Sequence, residues 1–60
     1  MTTERDPRLN AAVAEIERAR TLDGVDRATT RVLSRESWGQ DDIDVIVASH
    51  DTRLRELRQA

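Results

Sequence analysis

The sequence lacks cysteine, phenylalanine and tyrosine, and its 60 residues include one tryptophan, one proline and two glycines. Without cysteine the chain has no disulfide, no thiol nucleophile and no thiolate metal ligand. A single histidine also excludes a His-rich metal site within one chain. No apolar run approaches the ~18 residues of a membrane span, and residues 1–10 lack a signal-peptide core. We therefore expect a cytoplasmic protein that does not associate with membranes.

Lysine is also absent, so all ten basic residues are arginine, and twelve acidic residues give a formal net charge of −2. The arginine-only composition indicates a GC-rich coding background, which we interpret as an actinobacterial or phage source. Acidic and basic residues are interspersed, without a charged tail. The charge balance therefore does not by itself indicate a nucleic acid or a strongly charged partner.

The length of the chain allows one small helical domain, spanning residues 1–60, in which we expect residues 1–5 to be flexible. A chain of this size buries only about 60% of the surface that its unfolded form exposes. Such chains often gain stability from a partner or from self-association. The small size of the chain is therefore enough to suggest that it associates with a partner or with itself.

The most regular apolar pattern lies in residues 41–57. At about 100° per residue the apolar residues share one face of a helix, with acids at its start and arginines near its end, the order that a helix dipole favours. This apolar face consists of Ile43, Ile46, Val47, His50, Leu54 and Leu57. We predict a helix near 41–58, started either by Asp41 as the cap or by a capping box of Ser37 and Gln40.

A short strand is the alternative for residues 43–47. This segment is rich in β-branched residues, and Ile43, Val45 and Val47 alternate along it. No second strand is visible to take its hydrogen bonds, so we favour the helix. A helix would point Val45 away from the apolar face.

Two shorter helices are predicted ahead of this one. Asp6 and Pro7 form a typical helix start, and the next break contains Asp23 and Gly24. Either Gly24 ends the first helix in a left-handed conformation or Asp23 caps the second. The two apolar faces consist of Leu9, Ala12, Val13 and Ile16, and of Val25, Ala28, Thr29, Val32 and Leu33.

The three segments together predict an all-α fold. Connections of a few residues favour antiparallel or sharply angled neighbours. We expect a small three-helix unit, with helices near 7–22, 25–37 and 41–58, that is complete alone or is completed by oligomerisation.

The polar residues do not form a catalytic or metal-binding pattern. Ser49, His50 and Asp51 have the residue types of a catalytic triad, but adjacent residues cannot form that relay. We interpret His50 as a half-buried packing residue, whose charging in acid would lower stability. The clustered acids are Glu36, Asp41, Asp42 and Asp44. They lack the spacing and turn glycine of a calcium loop, so we predict no enzyme activity, no metal and no cofactor.

We predict a non-enzymatic helical interaction module that binds a protein partner or assembles with itself. Trp38 has the largest apolar side chain and Val45 lies off the apolar face, so these two are the predicted partner-binding residues. The alternative is a small nucleic-acid-binding regulator that uses the outer face of the second helix. This arginine row consists of Arg27, Thr30, Arg31, Ser34 and Arg35. It is less favoured, because the chain is net acidic and has no basic arm.

Overall fold

The computed structural model describes residues 7–59, which form three α-helices and no strand. The helices are α1, Pro7–Arg18; α2, Leu22–Arg35; and α3, Gln40–Gln59. The prediction of an all-α three-helix unit is confirmed, and residues 43–47 are helical. The predicted helix cap at Asp6 and the predicted flexibility of residues 1–5 lie outside the described residues.

Contacts near the helix ends define an up–down–up arrangement. At the start of α1, the Nη1 atom of Arg8 donates to Oε1 of Glu36, just before α3, at 3.0 Å. Beyond the end of α1, the carbonyl oxygen of Ala19 accepts a hydrogen bond from Nε of Arg53, in the second half of α3, at 3.0 Å. α1 and α3 therefore run in the same direction, and α2 returns between them.

A small core lies between the three helices. Its buried apolar residues are Leu9, Ala12, Ile16, Val25, Ala28, Val32 and Ile46. α1 and α2 supply all of these except Ile46, although α3 is the longest helix. Thr29 is also buried, and its hydroxyl donates to the carbonyl oxygen of Val25 at 2.9 Å, which satisfies its polar group. α3 adds Val45, Leu54 and Leu57, which pack half-buried against this core.

The orientation of α3 differs from the prediction. Val47, predicted on the apolar face, is 43% exposed, whereas Val45, predicted to point away, is half-buried against the core. The buried face is centred on Ile46 and is turned by roughly 60° toward Val45. In this orientation Val45, Leu54 and Leu57 pack against the core, and Nε of Arg53, whose side chain is 24% exposed, reaches the carbonyl oxygen of Ala19.

The connection between α1 and α2 is organised by Thr21, a residue outside the predicted caps. Thr21 Oγ1 accepts a hydrogen bond from the backbone N–H of Gly24 at 2.9 Å and thereby caps α2. The predictions of Asp23 as a cap and of a left-handed Gly24 are wrong, because both residues lie in the first turn of α2 and Gly24 has no positive φ. α1 ends at Arg18 and α2 begins at Leu22, so both boundaries fall earlier than predicted.

The start of α3 also differs from the prediction. The carbonyl oxygen of Gly39 accepts the first helical hydrogen bond, from the N–H of Ile43 at 3.0 Å, which places Gly39 at the cap position. Asp41 lies within the first turn instead of capping it, and Ser37 lies outside the helix. The acids of this turn stabilise the helix through its dipole, although none of them is the cap residue.

Candidate interaction surfaces

Trp38 packs against the core between the end of α2 and the start of α3. It is half-buried, and its indole Nε1 donates to the carbonyl oxygen of Val32 at 2.8 Å. The guanidinium carbon of Arg8 lies 5.9 Å from the centre of its ring, a distance suited to a cation–π contact. The polar atom and one side of the ring are therefore already engaged within the chain, and part of the side chain remains exposed.

Val45 lines a groove between α1 and α3 with a volume of about 380 Å³. The groove is bordered by Val13 and Glu17 of α1 and by small residues of α3, among them Ala48 and Thr52. Both valines are half-buried against the core, whereas Ala48 and Thr52 are exposed. Val45 is thus both a core contact and part of an open, partly apolar surface.

An exposed stripe runs along the outer surface of α3. Its members are Asp41, Val45, Ala48, Thr52 and Arg55. The spacing alternates between four and three residues, which keeps all five on one side of the helix. All are exposed except Val45, which is half-buried. We call these five residues the outer stripe.

The outer stripe has opposite charges at its two ends. Asp41 lies in the first turn of α3 and Arg55 in its last third. Neither side chain makes an ion pair or hydrogen bond within residues 7–59. The neighbouring Asp42 and Arg58 likewise make no such contact there. Among residues 7–59, no side chain therefore compensates these negative charges at the start of α3 or these positive charges at its end.

The arginines of the arginine row, in contrast, are paired with carboxylates of the same chain. Arg27 Nε lies 2.9 Å from Oδ2 of Asp23. Arg31 and Arg35 share Glu15 of α1, with N–O distances of 3.0 and 3.1 Å. The remaining members of the row are the exposed Thr30 and Ser34. The row thus joins α2 to α1 and has much of its positive charge compensated.

His50 belongs to α3, and its side chain faces α2 and pairs with two carboxylates. Its Nε2 is 2.7 Å from Oδ1 of Asp26, and its Nδ1 is 3.1 Å from Oδ1 of Asp51. The pKa of His50 is raised above 6.5, chiefly by the hydrogen bond with Asp26; burial opposes this, and Asp51 adds to it. His50 is half-buried as predicted, but its raised pKa favours a gain of stability on charging instead of the predicted loss. Asp26 lies 24 residues away, so no local pattern reveals this pairing.

We expect His50 to stabilise the protein more below pH 6.5 than above its raised folded-state pKa. The charged ring favours the folded state while Asp26 and Asp51 are ionised, and this contribution disappears as the pH rises through that pKa. Because both carboxylates are 62% exposed, the effect should be about 0.5–1 kcal/mol. Urea denaturation of the native chain and of His50→Gln at pH 5.5 and 8.5 measures it.

The difference in the free energy of unfolding between the native chain and His50→Gln should be larger at pH 5.5 than at pH 8.5. Asp26→Asn should remove more of the pH dependence than Asp51→Asn, because Asp26 makes the shorter contact and the larger contribution to the raised pKa. A difference between the native chain and His50→Gln that is larger at pH 8.5 would contradict this sign.

Residues 7–59 contain no group of three or more His, Asp and Glu side chains arranged to hold a metal ion. Within the same range, no helix has the combination of length and apolarity that spanning a bilayer requires. No protein-family model, no characterised protein and no solved structure matches the chain. Its function therefore has to be inferred from its own surfaces.

Proposed function

We propose that the protein is a non-enzymatic interaction module that binds a helix along the outer stripe of α3. The observation that carries the proposal is the pair of opposite charges at Asp41 and Arg55, which have no ion-pair partner within residues 7–59, with Val45, Ala48 and Thr52 between them. Opposite charges that flank small and β-branched residues provide orientation and close approach for a second helix.

The distribution of burial within α3 supports this proposal. Of the 20 residues of α3, only Ile46 is fully buried, and Val45, Leu54 and Leu57 pack half-buried against the core, so part of their apolar surface stays accessible. Small domains commonly complete their burial through association. The groove bordered by Val13 and Val45 lies beside the outer stripe and would deepen the contact with a bound helix. Of the two predicted anchors, the proposal therefore rests on Val45, because Trp38 is engaged within the chain.

Nucleic-acid binding by the arginine row has less support. Affinity for DNA or RNA depends on neutralising phosphates with free positive charge. Arg27, Arg31 and Arg35 are each paired with a carboxylate, so a nucleic acid would have to displace Asp23 or Glu15. Exposed ion pairs are individually weak, but these three lower the positive potential of the whole face.

Because the native chain has no cysteine, a single introduced cysteine can be labelled specifically, and this allows a direct test of the proposed function. A single Ala48→Cys substitution would place a photo-crosslinker at the centre of the outer stripe, and Ser34→Cys would place the same crosslinker in the arginine row. Irradiation in an extract of the native host should give a discrete crosslinked product from Ala48→Cys and none from Ser34→Cys. Mass spectrometry of that product would show whether the partner is another protein or this chain.

Both variants alter exposed positions, so far-UV circular dichroism should match the native chain. Identical crosslinking from the two positions, or no product from Ala48→Cys, would exclude the outer stripe as the interaction surface.

A further inference from the structure

We infer that the helix bound by the outer stripe is α3 of a second copy of this chain, paired in antiparallel orientation. The inference rests on the proposed function and adds the identity, direction and register of the partner. It follows from the order of residues along the outer stripe. When two copies of the stripe run in opposite directions, each residue of one copy lies opposite a complementary residue of the other.

The centre of this complementarity is Ala48. Asp41 lies seven residues before it and Arg55 seven residues after it. Val45 and Thr52, two β-branched residues of similar shape, lie three residues before it and four after it. A two-fold axis beside Ala48 would therefore place each member of the stripe opposite a suitable member of the second copy.

The expected contacts follow from this register. Asp41 of one copy faces Arg55 of the other at both ends of the interface, and Val45 faces Thr52 on both sides of the axis. The small side chain of Ala48 faces its own counterpart, where the two backbones approach most closely. The outer stripe spans fourteen helical steps from Asp41 to Arg55, or about 21 Å at 1.5 Å per residue.

The charges select the antiparallel direction over the parallel one. In a parallel pair, Asp41 would face Asp41 and Arg55 would face Arg55, so like charges would lie together at both ends. In an antiparallel pair both ends are attractive, and the two helix dipoles also oppose each other favourably. Asp42 and Arg58, which have no partner within residues 7–59, add further negative charge at the start of α3 and further positive charge at its end.

The interface is small and largely polar, so the dimer should be weak and reversible. One helix from each copy buries less than the standard area of stable complexes, which places the contact in the transient class. Because the end contacts are exposed ion pairs, association should weaken as the salt concentration rises.

The decisive experiment is a charge exchange measured by sedimentation equilibrium at low salt. Asp41→Arg and Arg55→Asp should each weaken dimerisation about tenfold, because each replaces two attractive contacts by two repulsive ones. The double variant should return to within about threefold of the native affinity, since the exchange restores both attractions. Arg58→Asp makes the same charge change near the end of α3 but off the stripe, and should have a smaller effect than Arg55→Asp.

Disulfide formation between two variants tests the direction of the helices. An oxidised mixture of Val45→Cys and Thr52→Cys chains should give mainly the mixed dimer, because these positions face each other only in an antiparallel pair. Oxidation that gives each variant linked to itself would instead indicate a parallel pair and overturn the inferred direction.

A native chain that remains monomeric at millimolar concentration would overturn the self-association inference, as would a double charge variant that fails to regain affinity. If the chain is monomeric but Ala48→Cys crosslinks to a different protein, the proposed interaction function survives and the identity of its partner changes. If Ala48→Cys gives no crosslinked product with either kind of partner, the proposed function fails together with this inference.

Discussion

Replacing Ile46 by alanine should lower the free energy of unfolding by about 3 kcal/mol, the middle of the range for a buried isoleucine. Ile46 is 0% exposed, and it is the one fully buried side chain with which α3 fills the core of α1 and α2. Small domains have only a few kcal/mol of stability, so this variant should be largely unfolded at 25 °C. Urea denaturation followed by far-UV circular dichroism measures the loss.

Val47→Ala is the matched control, because it truncates the neighbouring β-branched residue on the same helix. Val47 is 43% exposed, so its replacement should change stability by less than about 0.5 kcal/mol. The sequence pattern placed both residues on the apolar face, so the pair also tests the observed orientation of α3. Comparable losses in the two variants would contradict that orientation.

Replacing Trp38 by alanine should have the second largest effect, a loss of about 2–3 kcal/mol. The value lies somewhat below the range for a fully buried tryptophan, because Trp38 is half-buried. The substitution also removes the Nε1–H donor to the carbonyl oxygen of Val32 and the ring beneath Arg8. Thermal and urea denaturation followed by far-UV circular dichroism measure the effect without depending on tryptophan fluorescence.

Trp38→Phe separates the contribution of the ring from that of the hydrogen bond. It keeps an aromatic side chain but leaves the carbonyl oxygen of Val32 without its donor, so we expect a loss of about 1 kcal/mol. In the native monomer the emission of Trp38 should already be blue-shifted. If Trp38→Ala left stability unchanged, the residue would not be a core contact, and its role as a partner anchor would regain support.

The helices and most of the core could be predicted from the sequence because both follow from local periodicity. The residues predicted on the inner faces of the first two helices include Leu9, Ile16, Val25 and Val32, all of which are buried. Ile46 was also correctly placed on the inner face of α3. These residues repeat at helical spacing, and that pattern depends on the chain within one or two turns.

The rotation of α3 could not be predicted, because it is set by packing against α1 and α2, which includes a contact across 34 residues. Hydrophobicity alone centres the apolar face between Ile43 and Val47, whereas in the structure the helix is turned toward Val45 and Arg53 is bonded to Ala19. The outer stripe has a regular spacing that is visible in the sequence. Which positions of α3 face outward becomes known only with this rotation, so the sequence alone does not identify Ala48 and Thr52 as surface residues beside Val45.

The electrostatic contacts were also hidden from sequence reasoning. The helical pattern of the sequence indicates a solvated side chain at Glu15, but Glu15 forms salt bridges with both Arg31 and Arg35. His50 was assigned to packing, since Asp26 becomes its neighbour only when α2 returns beside α3. Ion pairs of this kind are set by the packing of helices, and no local spacing rule encodes them.

The hydrogen bond between Arg53 and Ala19 has a consequence for the order in which the chain can become native. A nascent chain that has emerged only as far as α2 forms a hairpin whose core lacks Ile46, and whose Ala19 carbonyl lacks its arginine donor. Synthesis must proceed past residue 53 before both deficits are removed. Stable folding is therefore expected to follow the synthesis of α3 and to occur in one cooperative step.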